Sequence, residues 1–91
     1  MTQDELKEIL TFMGYEDSIL FENPSYTDAV IGINDNGQVC YSFDKMVEWL
    51  VKNDSMTEED AMDFIYYNTI RALPYCQPSS VRPTVIYNIE T

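Results

Sequence analysis

Apolar residues recur along this chain in three helical stripes and two short alternating runs, and the polar residues between them supply the breaks. Leu6, Ile9, Leu10 and Met13 fall three and four apart, which predicts one apolar face of a first helix. Thr2 and Glu5 stand in capping-box spacing before it, and Gly14 sits where a helix end favours a left-handed residue. Ile19-Leu20-Phe21 is a short apolar run that suggests an edge strand, and "ENPSYTD" after it reads as a loop. The stretch "DAVIGINDNGQVCYS" predicts a β-hairpin, with strands Ala29–Ile33 and Gln38–Tyr41. Asn34 to Gly37 carries its turn chemistry, with Asn36-Gly37 read as a left-handed pair.

Ser42 then caps a second helix from Phe43 to about Lys52, in which Phe43, Met46, Val47, Leu50 and Val51 share a face with Trp49 at its edge. "KNDS" ends it. Thr57 and Asp60 open a third helix whose stripe is read as Ala61, Phe64, Ile65 and Asn68. Glu58, Glu59 and Asp60 occupy its first turn, where acids suit the positive end of the helix dipole. Arg71 suits the opposite end, and Pro74 stops the helix. After "YCQPSSVRP", Thr84 to Ile89 has the β-branched and aromatic character of a strand. A lone hairpin is marginal in water, so this strand must join it. The expected fold is a single α+β domain over residues 1–91: a small two-layer sandwich with a three- to four-stranded, mostly antiparallel sheet and three helices packed mainly on one face.

Charge changes the picture more than composition does. Apolar residues make up 45% of the 91, enough for a core without metal or disulfide. Sixteen acids face five bases and no histidine, for a formal charge of −11. Such a surface repels nucleic acid and anionic lipid, and draws basic partners at salt-sensitive rates. Acidity also keeps a small protein soluble. No apolar run approaches the ~20 residues of a membrane span, and Met1-Thr2-Gln3-Asp4-Glu5 lacks signal-peptide character. The expectation is a cytoplasmic protein with Cys40 and Cys76 reduced.

Most catalytic constellations fail at once. Without histidine there is no Ser-His pair, Cys-His pair or common zinc site, and the cysteines form no CxxC. "GINDNGQV" resembles a calcium loop only superficially, because alignment on Gly37 places Gly32 and Phe43 at two positions that need oxygen ligands. The residual enzyme reading would need Asp28, Asn68, Arg71 and Cys76 to meet in one pocket, with Arg71 or Arg82 stabilising a Cys76 thiolate. No metal or cofactor is expected.

Aromatic residues reach 13%, with seven tyrosines. Tyrosine offers a large contact area and a polar handle at interfaces. Tyr66 and Tyr67 are consecutive, so both cannot follow the core stripe; Tyr15 and Tyr26 stand in acid-rich loops. Tyrosines interleaved with acids suit docking to Arg- and Lys-rich surfaces, and they equally suit half-buried positions in a sheet–helix seam. The candidate partner-binding residues are Glu58, Glu59, Asp63 and Tyr66, with Glu16, Asp17 and Glu22 as a second acidic group.

The segments "DAVIGI", "YSFDKMVEWLV" and "MTEEDAMDFIYYNTIRALPY" resemble a group of small uncharacterised proteins of phages and prophages of Firmicutes-type gut bacteria, over roughly Asp28 to Tyr87. The resemblance implies a phage setting inside a bacterial host. By analogy of size, charge and setting it suggests an anti-CRISPR-like inhibitor. Such a protein would be non-enzymatic and would occupy the basic, nucleic-acid-binding surface of a bacterial protein such as a CRISPR effector nuclease. The alternative is a homo-oligomeric structural or regulatory module, using exposed tyrosines, Trp49 and an unpaired sheet edge.

Overall fold

A computed structural model describes residues 1–89. Its elements run α1 (Gln3–Met13), β1 (Val30–Ile33), β2 (Val39–Ser42), α2 (Phe43–Asp54), α3 (Glu58–Phe64) and β3 (Thr84–Ile86), an α+β arrangement of three helices and a three-stranded sheet. A π-helical turn, Ile65–Ile70, continues directly from α3.

The local signals for the helices hold. Thr2 and Glu5 form a reciprocal capping box, and Gly14 ends α1 in the left-handed region. Ser42 accepts from the Lys45 N–H, and Thr57 from the Asp60 N–H, so α2 and α3 each begin on a hydroxyl cap. Helix α2 runs beyond Lys52 to Asp54, and Ser55 turns the chain with φ 56°.

The sheet order is β1-β2-β3, antiparallel between β1 and β2 and parallel between β2 and β3. A parallel neighbour needs a crossover, and α2, α3 and the π-helical turn supply it. The β1–β2 register slips between Val30 and Gly32, leaving Ile31 on a bulge. Of the expected left-handed pair Asn36-Gly37, only Gly37 has positive φ; the Asn34 side-chain carbonyl accepts from the N–H groups of Asn36 and Gln38 and closes a longer turn. Gly37 is also packed tightly: a Cβ there would stand 3.2 Å from the Tyr15 ring, while Ser18 Oγ donates to the Gly37 carbonyl. The loop after α1 thus clasps the hairpin tip.

Ile19–Phe21 is not a strand. Its backbone groups find scattered partners instead: Ile19 N–H bonds the Val81 carbonyl, Phe21 N–H the Tyr41 hydroxyl, and the Phe21 carbonyl accepts from Gln3 Nε2. The final strand is shorter than expected, with Tyr87 to Ile89 outside the ladder. All four residues of β2 are buried. The core gathers Val39 and Tyr41 with Leu6 and Leu10 of α1, Met46 and Leu50 of α2, and Ala61 and Ile65 of the third helical segment.

Sequence expectations about the core are overturned at several positions, and Val51 of the second apolar stripe is exposed. Asn68 does not lie on the buried stripe; it is exposed, its amide donating to the Phe64 carbonyl, and Thr69 is buried in its place. The π-helical turn adds about one residue to the turn and so shifts the inward phase. Tyr26 is not a docking residue. It is fully buried, with φ 48°, its ring between Phe21 and Trp49 and its hydroxyl 3.1 Å from Thr69 Oγ1. Trp49 is correspondingly half-buried against Tyr26 rather than presented for self-association.

Candidate interaction surface

The third helical segment builds the clearest surface. Glu59, Asp63 and Tyr66 recur four and three apart, so they share its outward side, with Glu58 at the first turn. All four are exposed. Ala61 and Ile65, on the opposite side, anchor the segment in the core. In the π-helical turn that follows, Tyr66, Tyr67 and Asn68 all face solvent between the buried Ile65 and Thr69. Arg71 is held over the Tyr67 ring at 5.8 Å from its centre.

The second acidic group lies on the loop after α1. Glu16 and Glu22 line one open groove of about 680 Å³ together with Lys7, Ser18 and Phe21, while Asp17 is exposed beside them in sequence. Lys7 partly offsets the two carboxylates. Glu22 also borders a smaller groove of about 110 Å³ that includes Asn68, Thr69 and Cys76. The structure therefore brings Glu22 to the flank of the π-helical turn, a proximity with no signature in the sequence.

Asp28, Asn68, Arg71 and Cys76 do not all meet in one pocket. Asp28 lines a separate groove with Lys45, Glu48 and Lys52. Asn68 and Cys76 share the Glu22 groove, and Arg71 is engaged with Tyr67. Both cysteines are free thiols, Cys40 buried and Cys76 partly so. Among the described residues, no group of three or more His, Cys, Asp or Glu side chains is placed to hold a metal ion, and no helix is long and apolar enough to cross a membrane.

Sequence reasoning missed two features. One is an aromatic cluster in which Phe43 stacks against both Tyr66 and Tyr87, with centroids 5.4 and 4.9 Å apart. Its signal is the parallel pairing of β2 with β3, which no local pattern announces. The other is an apolar groove of about 410 Å³ between α1 and β1, lined by Ile9, Met13, Val30 and Ile31 among others. Ile9, Phe12 and Met13 are all exposed there or nearby on α1, although the first stripe pointed to Ile9 and Met13 as core. No family model, curated protein or solved structure matches the chain.

Proposed function

We propose that this chain is a non-enzymatic interaction protein whose acidic helix occupies a basic surface of a bacterial nucleic-acid-binding protein, as an anti-CRISPR-like inhibitor occupies an effector nuclease. The observation that carries the reading is the outward row Glu59, Asp63 and Tyr66 on a chain of formal charge −11. Carboxylates spaced along a rigid helix offer a row of negative charge to a groove that otherwise binds phosphates. Tyr66 adds contact area that charge alone lacks. The resemblance to phage proteins supports the bacterial setting and a cytoplasmic site of action in the host.

The test is capture from bacterial lysate by the immobilised chain, followed by kinetics with the captured protein. The captured protein should itself bind nucleic acid, and duplex DNA or RNA should compete with the chain for it. Replacing Glu59 and Asp63 together by lysine should slow association by about tenfold at low ionic strength and flatten its salt dependence. Binding that ignores both salt and the reversal would remove the proposal.

The α1–β1 groove favours a second reading, self-association, because it leaves Ile9, Phe12, Met13 and Ile31 exposed near a sheet edge. Charge opposes it, since two copies at −11 repel. Sedimentation at micromolar concentration is expected to show a monomer. A dimer whose population grows with added salt would favour the homo-oligomer instead.

A further inference from the structure

The cluster of Phe43, Tyr66 and Tyr87 follows from topology. Strands β2 and β3 run parallel and in register up to Ser42 and Ile86. The next residues, Phe43 and Tyr87, therefore leave the sheet side by side, with their rings 37° apart. The crossover returns along α3, and its π-helical turn sets Tyr66 against Phe43 at 39°. Phe43 is buried by this cover at 7% exposure, yet Tyr66 and Tyr87 keep 44% and 50% of their surface in water. Partial burial, with the Tyr66 hydroxyl close by, raises the Tyr87 phenol above its ordinary value. The cluster lies just outside the carboxyl ends of the two parallel strands, β2 and β3.

Its rim is acidic. Asp63 is one helical turn before Tyr66, and Glu59 one turn before that. On the other side Asp44 follows Phe43, and its Oδ2 accepts from Asn88 Nδ2 at 3.3 Å, next to Tyr87. Aromatic faces carry negative potential, and carboxylates beside them reinforce it, which selects a planar cation over an anion or a phosphate-bearing strand. The chain already uses this pairing internally, with Arg71 over Tyr67. Among the described residues no comparable cation covers Tyr66 or Tyr87.

We propose that the Phe43–Tyr66–Tyr87 platform receives an arginine side chain of the protein partner, its guanidinium stacked on an exposed tyrosine and forked onto a rim carboxylate, Asp63 or Asp44. Arginine fits better than lysine, because its flat guanidinium both stacks and presents two parallel donors to a carboxylate. The inference rests on the acidic-surface reading and names the side chain that this surface recognises.

The probes are a short oligo-arginine peptide and an oligo-lysine peptide of equal length, titrated into the full chain and followed by proton NMR. The arginine peptide should bind roughly three- to fivefold more tightly, the worth of an exposed cation–π contact, and its δ-methylene protons should move upfield under the ring currents. Replacing Tyr66 and Tyr87 together by leucine should abolish the upfield shift and shrink the preference, while salt-sensitive binding of both peptides persists. Tyr87→Phe keeps the ring and should keep the shift. Should the double variant fail to fold, Tyr87→Leu alone carries the test and should weaken the shift. Equal affinities without an upfield shift, or a preference that survives loss of the rings, would overturn the platform. Stacking of an oligothymidylate on the same tyrosines would overturn it too, in favour of a nucleic-acid base. Absence of salt-sensitive binding of either peptide would instead overturn the acidic-surface reading on which it rests.

Discussion

Tyr26→Ala should cost about 3–5 kcal/mol of folding stability, the range for removing a large buried aromatic side chain. The ring is fully buried, 5.8 Å from the Phe21 ring and 5.6 Å from Trp49, both in edge-on contact. Its hydroxyl and that of Thr69 satisfy each other at 3.1 Å in the interior, so the loss also leaves a buried hydroxyl without its partner. Domains of this size keep roughly 5–15 kcal/mol in all, which places the variant near the edge of folding. Tyr26→Phe separates the contributions: it retains the ring contacts and should cost about 1–2 kcal/mol through the stranded Thr69 hydroxyl. The left-handed backbone at Tyr26 itself opposes folding by about 1–2 kcal/mol, which the ring's burial must exceed. Urea unfolding followed by the fluorescence of Trp49 measures both variants. A loss under about 1 kcal/mol for the alanine variant would show that the loop, not the ring, holds this corner.

Alkaline pH should unfold the protein by way of its buried phenols. Burial pushes the Tyr41 phenol up to about 12, although the Phe21 N–H donating to its oxygen works in the other direction. Burial also raises Tyr26; the bond with Thr69 lowers it somewhat and the Asp54 charge raises it further. A phenol in the unfolded chain ionises near pH 10. The folded state thus holds its proton more tightly than the unfolded state. Stability from Tyr41 is complete below pH 10 and is lost as pH climbs from 10 through about 12, and Tyr26 acts in the same direction. For Tyr41 the loss approaches roughly 3 kcal/mol at the upper end. Urea midpoints collected across this window under reducing conditions should fall steeply for the native chain. They should fall less for Tyr41→Phe, which has no proton to lose. An equal decline in both would assign the effect to other groups.

How far the sequence carries depends on the range of the interaction. Thr2 with Glu5, Ser42 with Lys45 and Thr57 with Asp60 are bonds between residues three apart, so spacing alone exposes them. The hairpin is equally local. The acidic row Glu59–Asp63–Tyr66 is legible for the same reason, since helical spacing decides which side chains share a side. Tyr26 misleads because its neighbours Asn23, Pro24, Ser25, Thr27 and Asp28 are all loop formers, while the groups that bury it, Trp49 and Thr69, are far along the chain. Asn68 misleads because the pattern assumes an α-helix of constant pitch, and the turn at Ile65–Ile70 departs from it. The Phe43–Tyr66–Tyr87 cluster and the approach of Glu22 to the π-helical turn both depend on tertiary pairing that leaves no periodic trace.

The parallel pairing also orders the assembly of the molecule in time. Val39 meets Ile33 across a short turn, whereas Cys40 must wait for Thr84 and Ser42 for Ile86. Closing the long crossover loop carries an entropy cost that the hairpin avoids, and contacts between distant residues slow a chain's search for its native state. On a ribosome the hairpin and α2 emerge well before the third strand does, so β2 spends that interval with one side unpaired. The aromatic platform at the end of the sheet is accordingly among the last surfaces to exist: a chain that has reached Tyr66 but not Tyr87 carries the acidic helix without it.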